Sequence, residues 1–455
     1  MKNFFTLLCV ILIFGCSDMS KLVEVTGRSE KNPWTILIYM AADNDLESAA
    51  LYDINELESV YEKSAGYTVL VLLDRSAGYD GTNGNWEDTR LYEIKRDNAG
   101  FNGTIVSERL NCTDLDLSVD TDTELNMADS NTLKGFITFA SREYKAEHYA
   151  LIIWGHGTGW RGAPARQNAV SPYRAVAFDD YGNGAYMDLP SLKQALSGFR
   201  FDVVGFDTCF GATLETSLEI SHSAEFLVAS SGIIPIEGWS YEDIFSYFHQ
   251  GTTPEELCDI IAQSFSWRYT DETAYSISKI YLPAVSAAAE LFCAFSQAVA
   301  DTIVSMPARD GIFSILKTET QSEYAPVYPT DMFLDAASVV NTLNGYIQDL
   351  AGMDDETKAD IQLAAERAIA AIDACVMQTM RDGRENDPAI SVFFAELRSE
   401  NVLAPSHSNA YVKDSGFVNQ SMFVKRTTGW VPTKTGQGSL LDKVFYMSIP
   451  WEAAD

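Results

Sequence analysis

The chain presents a cysteine at the end of an apolar run of strand length, Phe201-Asp-Val-Val-Gly-Phe-Asp-Thr-Cys-Phe-Gly211. An earlier apolar run, Tyr149-Ala-Leu-Ile-Ile-Trp154, ends in Gly155-His156-Gly157. Ligands of open parallel sheets bind where loops leave the carboxyl ends of the strands. The two runs therefore predict that Cys209 and His156 meet at one edge of a sheet, where an imidazole can deprotonate a thiol.

His156 is the one histidine of five that leaves a predicted strand between two glycines. Glycine lets the backbone approach a ligand closely, because it has no side chain. The backbone N–H groups of Gly157 and Cys209 are therefore candidate donors to an oxyanion.

Further apolar runs alternate with helical segments before residue 250. Residues 34–40, 67–73 and 226–229 are continuous apolar runs of strand length. Such alternation is typical of a mostly parallel sheet covered by helices on both faces. We expect residues 89–95, in which apolar and polar side chains alternate, to form a more exposed edge strand. The predicted fold class is an α/β/α sandwich.

Beyond residue 250 the pattern favours long helices. Helical spacing is clearest at residues 254–268, 282–304 and 355–381, and residues 331–350 are expected to be helical too. Residues 388–394 predict a late strand that would return to the main sheet. We therefore divide the chain into a signal segment (1–15), a tether (16–32), an α/β domain (33–250) and a helix-rich C-terminal region (251–455) whose late strands would complete the sheet.

The N-terminal residues predict export. One lysine precedes an apolar run that is shorter than the roughly 20 residues a membrane-spanning helix needs, which is typical of a signal peptide. The run ends in Ile13-Phe14-Gly15-Cys16, which resembles a bacterial lipobox. Lipidation of Cys16 would make the chain an exported bacterial lipoprotein, anchored at the cell envelope or cell surface through its lipid alone.

The charge balance argues against two classes of partner, nucleic acids and anionic membrane surfaces. Asp and Glu number 64 against 32 Lys and Arg, which gives a formal net charge of -32. This charge repels nucleic acids and anionic membrane surfaces and attracts cationic ligands. The solubility of an exported protein is an alternative reason for it.

The cysteines outside the signal do not form a recognisable framework. They number five and are widely and irregularly spaced: Cys112, Cys209, Cys258, Cys293 and Cys375. An odd number without a Cys-x-x-Cys pair indicates neither a disulfide scaffold nor a zinc site. Cys258, Cys293 and Cys375 stand among apolar residues at helical spacing and are predicted to be buried.

Four stretches carry the strongest pattern in the chain: Trp34-Thr-Ile-Leu-Ile-Tyr-Met-Ala-Ala-Asp-Asn-Asp-Leu-Glu47, His148-Tyr-Ala-Leu-Ile-Ile-Trp-Gly-His-Gly-Thr-Gly-Trp160, Phe206-Asp-Thr-Cys-Phe-Gly-Ala-Thr-Leu-Glu215 and Val228-Ala-Ser-Ser-Gly-Ile-Ile-Pro-Ile-Glu-Gly-Trp-Ser-Tyr241. In order and spacing they resemble blocks of the clostripain family, caspase-like cysteine peptidases of bacteria. The resemblance implies a caspase-like fold, with residues 33–250 as the catalytic domain. It also implies that His156 is the general base and Cys209 the nucleophile.

The resemblance implies cleavage immediately after Arg or Lys. Asp207 matches the acid at the base of the family's specificity pocket, and Glu237 stands where relatives carry an acid that faces the same pocket. A carboxylate in a semi-closed pocket holds a guanidinium through paired hydrogen bonds. Two alternatives stay open: Asp207 ties down the end of its strand, and the apolar residues 233–236 move Glu237 away from the pocket.

Family members are often activated by self-cleavage between the histidine and cysteine blocks. Arg161, Arg166 and Arg174 lie in or beside a segment that contains Pro, Gly and Asn, at residues 160–175. The resemblance makes these arginines candidate processing sites, and an ordinary surface loop is the alternative.

Some relatives depend on calcium. Asp179, Asp180 and Asn183 offer oxygen ligands, but their spacing matches no calcium-binding loop. We interpret them as a solvated turn and predict no metal and no cofactor, with calcium as the alternative.

Three functions fit these residues. In a peptidase, the Cys209 thiolate attacks the carbonyl that follows Arg or Lys, and water releases the acyl group. A transpeptidase or ligase would pass the acyl group to an amine. A catalytically silent surface lipoprotein would use the pocket only to bind basic peptides. The presence of both His156 and Cys209 favours the peptidase, with protein or peptide substrates.

Overall fold

A nine-stranded sheet forms the centre of the computed structural model. The structure describes residues 32–76, 78–159, 176–179, 185–269, 276–302, 311–312, 315–316, 331–381, 389–395 and 440. Its strands are β1 (Asn32–Ala42), β2 (Tyr67–Arg75), β3 (Thr89–Glu93), β4 (Glu108–Leu110), β5 (Ala146–Trp154), β6 (Val176–Asp179), β7 (Ala185–Met187), β8 (Phe201–Asp207), β9 (Ala224–Ala229), β10 (Ser276–Tyr281), β11 (Asp331–Asp335), β12 (Val376–Arg381) and β13 (Ser391–Ala395). Its helices are α1 (Glu47–Val60), α2 (Ser130–Glu143), α3 (Leu189–Leu196), α4 (Leu214–Ile220), α5 (Tyr241–Tyr247), α6 (Pro254–Arg268), α7 (Leu282–Thr302), α8 (Ala336–Asp349) and α9 (Asp355–Cys375).

The order of the main sheet is β12-β10-β9-β8-β5-β1-β2-β3-β4. The five strands β9, β8, β5, β1 and β2 run parallel, and the outer strands are antiparallel. The parallel strands are the continuous apolar runs of the sequence, because a strand covered on both faces buries every side chain.

The sheet separates two apolar cores. Leu37 and Tyr39 of β1 join one core, and Ile36 and Ile38 join the other, because successive side chains of a strand point to opposite faces. Helices α2, α3, α4, α7, α8 and α9 contribute to the first core, and α1, α5 and α6 contribute to the second. The predicted α/β/α sandwich is confirmed.

Several predicted elements are wrong in detail. β3 is not the edge strand, because β4 pairs along its outer side. Residues 331–350 are not one helix. The Asp335 carboxylate accepts a hydrogen bond from the Ser338 N–H at 2.8 Å and begins α8 at Ala336, whereas residues 331–335 form β11. The helix predicted at 355–381 ends at Cys375, and the residues after it form β12.

The strands after residue 250 do extend the main sheet, but they are not the predicted ones. β10 and β12 add to its edge, whereas β13 pairs antiparallel with β11 in a separate two-stranded sheet. Contacts between residues group Asn32–Asp455 in one compact unit. The division at residue 250 stays a prediction, and residues 1–31, with the signal and nearly all of the tether, lie outside the described residues.

One later helix, α7, is long and apolar enough to cross a membrane by length and composition, with a mean hydropathy of 1.4. In the structure it packs against α9 and α4, and its side chains Val285, Phe292 and Phe295 belong to the first core. Cys258, Cys293 and Cys375 are buried as predicted.

Candidate active site

Two neighbouring parallel strands bring the predicted pair together. Trp154 at the end of β5 is in register with Asp207 at the end of β8. His156 and Cys209 each follow two residues later, and both line one cavity of about 200 Å³ at this edge of the sheet. The cavity is lined by Asp45, Leu46, Trp154, Gly155, His156, Asp207, Cys209, Ile234, Pro235, Ile236 and Gly238.

The imidazole of His156 is held from one side by a carboxylate. Its Nε2 lies 2.6 Å from Oδ1 of Asp45, where an N–H donates to the carboxylate. The ring of Phe178 meets the imidazole edge to face, with 5.6 Å between centroids. Because Nε2 is engaged, Nδ1 is the ring nitrogen that this contact leaves available.

Asp45 is the site residue that sequence analysis missed. It stands in the loop between β1 and α1, in a stretch that we assigned only to helix initiation. Asn44 fixes this loop, because its amide donates to the carbonyls of Ala41 (3.0 Å) and Phe178 (3.1 Å). The available signal was an acid in the loop after β1, the strand that neighbours β5, at the sheet edge where ligands bind.

The thiol of Cys209 stands in a tight turn after β8. Phe210, the next residue, adopts a left-handed conformation with φ of 56°, and its N–H donates to the Gly232 carbonyl at 2.8 Å. The Ile234 N–H donates to Sγ at 3.4 Å. Burial raises the pKa of the Cys209 thiol above its usual range. The thiol is therefore protonated at neutral pH and needs a base to become a nucleophile.

Gly157 lies against the cysteine turn. A Cβ at this position would overlap the Cys209 carbonyl oxygen and approach Oγ1 of Thr208 to 2.6 Å. Only glycine allows the two loops to come this close. The two backbone segments predicted to supply oxyanion donors are thus in contact, and their catalytic role stays a prediction.

Asp207 is a buried acid in the wall of the cavity. Both of its carboxylate oxygens accept from the Trp239 N–H at 3.2 Å, and the Tyr241 hydroxyl donates to Oδ2 at 3.1 Å. Burial raises the pKa of Asp207 to about 7. The side chain therefore ties down the loop after β9 and also lines the cavity, so the two alternatives for Asp207 are compatible.

Glu237 is not brought into this cavity. It is exposed, because a turn closed by the Gly238 N–H and the Pro235 carbonyl at 3.0 Å presents it to solvent. Residues 234–236 line the cavity instead. This arrangement matches the alternative in which the apolar residues 233–236 move Glu237 away from the pocket. A role for Glu237 in the pocket stays a prediction.

The remaining predicted residues divide between the described and undescribed parts of the chain. Cys16, Arg161, Arg166, Arg174, Asp180 and Asn183 lie outside the described residues. Asp179 is fully buried, and its Oδ2 accepts from the Met127 N–H at 2.6 Å. The interpretation of Asp179 as part of a solvated turn is therefore wrong, because its side chain is buried.

Comparison with known proteins identifies the family. The model of the clostripain family matches residues 38–351. Clostripain of Hathewaya histolytica is 31% identical over 255 residues, which cover 52% of this chain and 46% of that relative. The chain thus spans about half the length of the curated relative it matches.

Two solved structures share the fold. One is an inactive zymogen C11 protease from Parabacteroides distasonis, with a TM-score of 0.57 and 19% identity over 86% of this chain and 98% of that one. The other is a secreted C11 cysteine protease from Bacteroides thetaiotaomicron in complex with an irreversible peptide inhibitor, with a TM-score of 0.57 and 18% identity over 86% of this chain and 99% of that one. Together with the family match, these similarities show that the chain belongs to the clostripain family, a family of cysteine proteases.

Proposed function

We propose that the protein is a cysteine endopeptidase that cleaves peptide bonds after Arg or Lys. The observation that carries the proposal is a single cavity lined by His156, Cys209 and Asp207. It combines a nucleophile, a base and a buried anion. The family match and the curated relative clostripain support the same reaction class.

The reaction begins with a neutral thiol. Nδ1 of His156 takes the proton of Cys209, and the thiolate attacks the carbonyl carbon of the basic residue. The N–H groups of Gly157 and Cys209 donate to the oxyanion. The imidazolium then gives its proton to the leaving amine, and water, deprotonated by the same imidazole, hydrolyses the acyl-enzyme.

Asp45 acts as a positioning residue in this scheme. Its carboxylate accepts from Nε2 at 2.6 Å, so it selects the tautomer with Nδ1 free and stabilises the imidazolium that forms during attack. Because its side chain is 65% exposed, the interaction is screened by solvent and contributes orientation more than charge.

Asp207 provides selection. An arginine or lysine side chain in the cavity would face a carboxylate whose pKa lies near 7. The substrate cation favours the ionised form, so binding releases a proton in the fraction of molecules in which Asp207 is protonated.

The proposal is tested with peptide amides that end in Arg, Lys or Asp, incubated with and without an added amine. Turnover of the basic substrates to free acids, and its loss in Cys209→Ala, is expected. Amide products that carry the added amine would support a transpeptidase. Binding of basic peptides without turnover, in a protein whose thiol reacts with alkylating reagents, would support the silent lipoprotein and refute the peptidase.

Two further parts of the proposal concern processing and location. We propose self-cleavage after Arg161, Arg166 or Arg174, and mass spectrometry would refute it if the wild-type and Cys209→Ala proteins gave the same fragments.

We also propose export and lipidation at Cys16, which rest on the sequence Ile13-Phe14-Gly15-Cys16. Metabolic labelling with a fatty-acid analogue should label the wild-type protein and leave Cys16→Ser unlabelled.

A further inference from the structure

The loop after β9 passes over the thiol of Cys209. The Ile234 N–H donates to Sγ of Cys209 at 3.4 Å, and the thiol donates to the Ile234 carbonyl at 3.9 Å. Both contacts are made by the backbone of one residue. Deprotonation of the thiol affects them differently, because a thiolate still accepts from an N–H but has no proton to donate to a carbonyl. The contact with the N–H is therefore the one that favours the charged form of the sulfur.

The cavity offers little else to compensate a negative charge on the sulfur. None of the described residues that line it is Lys or Arg. The titratable groups around the thiol are one imidazole and three carboxylates: His156 on the loop after β5, Asp45 after β1, Asp207 at the end of β8, and the exposed Glu237 on the loop after β9. The charge of Asp207 raises the pKa of the Cys209 thiol further, whereas the hydrogen bond from Ile234 lowers it.

The loop that carries Ile234 is fixed on both sides of this residue. Before it, the Gly232 carbonyl accepts from the Phe210 N–H at 2.8 Å. After it, the Trp239 N–H donates to the carboxylate at the end of β8 at 3.2 Å. Pro235 follows directly, and a residue before proline is restricted to extended backbone conformations. The Ile234 N–H therefore has little freedom to turn away from the sulfur.

We propose that the N–H of Ile234 is a catalytic group that stabilises the Cys209 thiolate. It touches the reacting sulfur, and a hydrogen bond to a charged acceptor is roughly twice as strong as one between neutral groups. His156 takes the thiol proton, and the N–H then stabilises the negative charge until the sulfur attacks the carbonyl carbon. This role in catalysis rests on the proposed peptidase function, whereas the hydrogen bond to the thiolate does not.

Alkylation of Cys209 by iodoacetamide as a function of pH tests the proposal. Mass spectrometry of the peptide that contains Cys209 gives the rate at this residue alone. Ile234→Pro removes the N–H and changes no charge. The midpoint of its pH–rate profile should therefore lie about one to two pH units above that of the wild-type protein. Ile234→Ala keeps the N–H and should keep the wild-type midpoint, and both variants retain the titratable groups around the thiol.

Ile236→Pro is the control for the proline ring itself. Position 236 is the second residue of the turn that the Gly238 N–H closes with the Pro235 carbonyl at 3.0 Å, and proline is favoured at this place in a turn. The substitution leaves the Ile234 N–H intact, so the midpoint should not move. Equal upward shifts in Ile234→Pro and Ile236→Pro would assign the effect to the ring and overturn the proposal, as would an unchanged midpoint in a folded Ile234→Pro protein.

Hydrogen exchange tests the same contact without a proline variant, and it decides the question if Ile234→Pro does not fold. Cys209→Ala removes the acceptor, so the Ile234 amide should exchange about tenfold faster than in the wild-type protein, measured on a peptide that spans residues 232–239. The Gly238 amide in the same peptide donates to Pro235 and should exchange equally in both proteins. Equal exchange at Ile234 would overturn the proposal.

The effect on catalysis is measured separately. In a folded Ile234→Pro protein, kcat/KM for an arginine substrate should fall about tenfold at pH 7, and the acidic limb of its pH profile should move to higher pH. If the wild-type protein cleaves no substrate, the proposed function fails, but alkylation and hydrogen exchange still decide whether the Ile234 N–H stabilises the thiolate.

Discussion

Asp207→Asn is the substitution that tests the specificity pocket most directly. Asparagine has nearly the shape of aspartate and keeps one oxygen for the Trp239 N–H or the Tyr241 hydroxyl. What it removes is the charge. The loss of one partner of a buried charge pair costs about 2–5 kcal/mol, so we expect kcat/KM for an arginine substrate to fall roughly a hundredfold at pH 8.

The assay compares substrates that end in arginine and in citrulline, its uncharged analogue. The ratio of their kcat/KM values cancels the titration of His156 and Cys209, which both substrates need. With the pKa of Asp207 raised to about 7, its ionised fraction rises from about 1% at pH 5 to half at pH 7. The ratio should therefore rise about 50-fold over this interval in the wild-type protein and stay flat in Asp207→Asn.

Asp202→Asn, at the other end of β8, is the control for this measurement. Its carboxylate accepts from the Tyr149 N–H at 2.8 Å, away from the cavity, and the wild-type pH dependence should persist. A ratio that does not change with pH in the wild-type protein would refute the assignment of Asp207. An Asp207→Asn variant that keeps the wild-type preference for arginine would refute it as well.

The same titration affects stability. Because the pKa of Asp207 is raised to about 7 in the folded state, protonation of Asp207 favours folding, and this stability is lost as the pH rises through 7. Relative to the ordinary pKa near 4, the loss amounts to about 4 kcal/mol between pH 4 and pH 8. Asparagine does not ionise, so the free energy of unfolding of Asp207→Asn in urea should rise relative to that of the wild-type protein by roughly this amount between pH 4 and pH 8.

Three further substitutions test other contacts. Asp45→Ala should lower kcat roughly tenfold at unchanged KM and Tm, and Asp45→Asn should lose less, because its amide oxygen still accepts from Nε2. Gly157→Ala should lower kcat/KM about a hundredfold, because its Cβ would overlap the cysteine turn. Gly345→Ala is the control: a Cβ at Gly345 meets nothing within 4 Å, so this variant should keep its activity. Asp335→Ala should lower the free energy of unfolding by about 2 kcal/mol in urea titrations. The Asp335 carboxylate caps α8 and also accepts from the Ala389 N–H at 3.0 Å. An unchanged free energy of unfolding would contradict the capping role.

The parallel core of the sheet was predictable because burial on both faces leaves continuous apolar runs in the sequence. The antiparallel strands β10 and β12 were not, although residues 89–95 were expected to form a strand. β10 reads Ser276-Ile-Ser-Lys-Ile-Tyr281, and its Lys279 donates to Asp259 at 2.6 Å and to Glu255 at 3.3 Å, both on α6. β12 continues the pattern of α9, and it becomes a strand through pairing with β10, 100 residues earlier in the sequence. In β12, tertiary pairing overrides the local helical pattern.

The location of His156 and Cys209 was predictable for a related reason. Each follows a buried strand, and neighbouring parallel strands end at the same edge. Asp45 and the acids near it were not recognisable, because their partners are distant in sequence. Asp45 meets a histidine 111 positions later, and the oxygens of Asp74 and Glu124 come together from separate segments. No spacing rule describes such a cluster, and only the path of the backbone reveals it.

The charge that Asp207 carries also depends on the residues behind the pocket. Arg268 donates to Glu56 at 3.0 Å, and its positive charge lowers the pKa of Asp207, while the negative charge of Glu56 raises it. Asp53 lies in the same buried group, and burial raises its pKa well above the ordinary value.

The charges of Arg268 and Glu56 therefore have opposite effects on the pKa of Asp207, and a substrate cation in the cavity would favour the ionised form of Asp207. Arg268→Gln should move the midpoint of the arginine-to-citrulline ratio to higher pH by about one unit, because Glu56 would then act on Asp207 without a counter-charge. Arg268→Lys keeps the positive charge and should leave the midpoint near 7. If Arg268→Gln left the midpoint unchanged, the pocket would titrate independently of the residues behind it, and selection would depend on Asp207 alone.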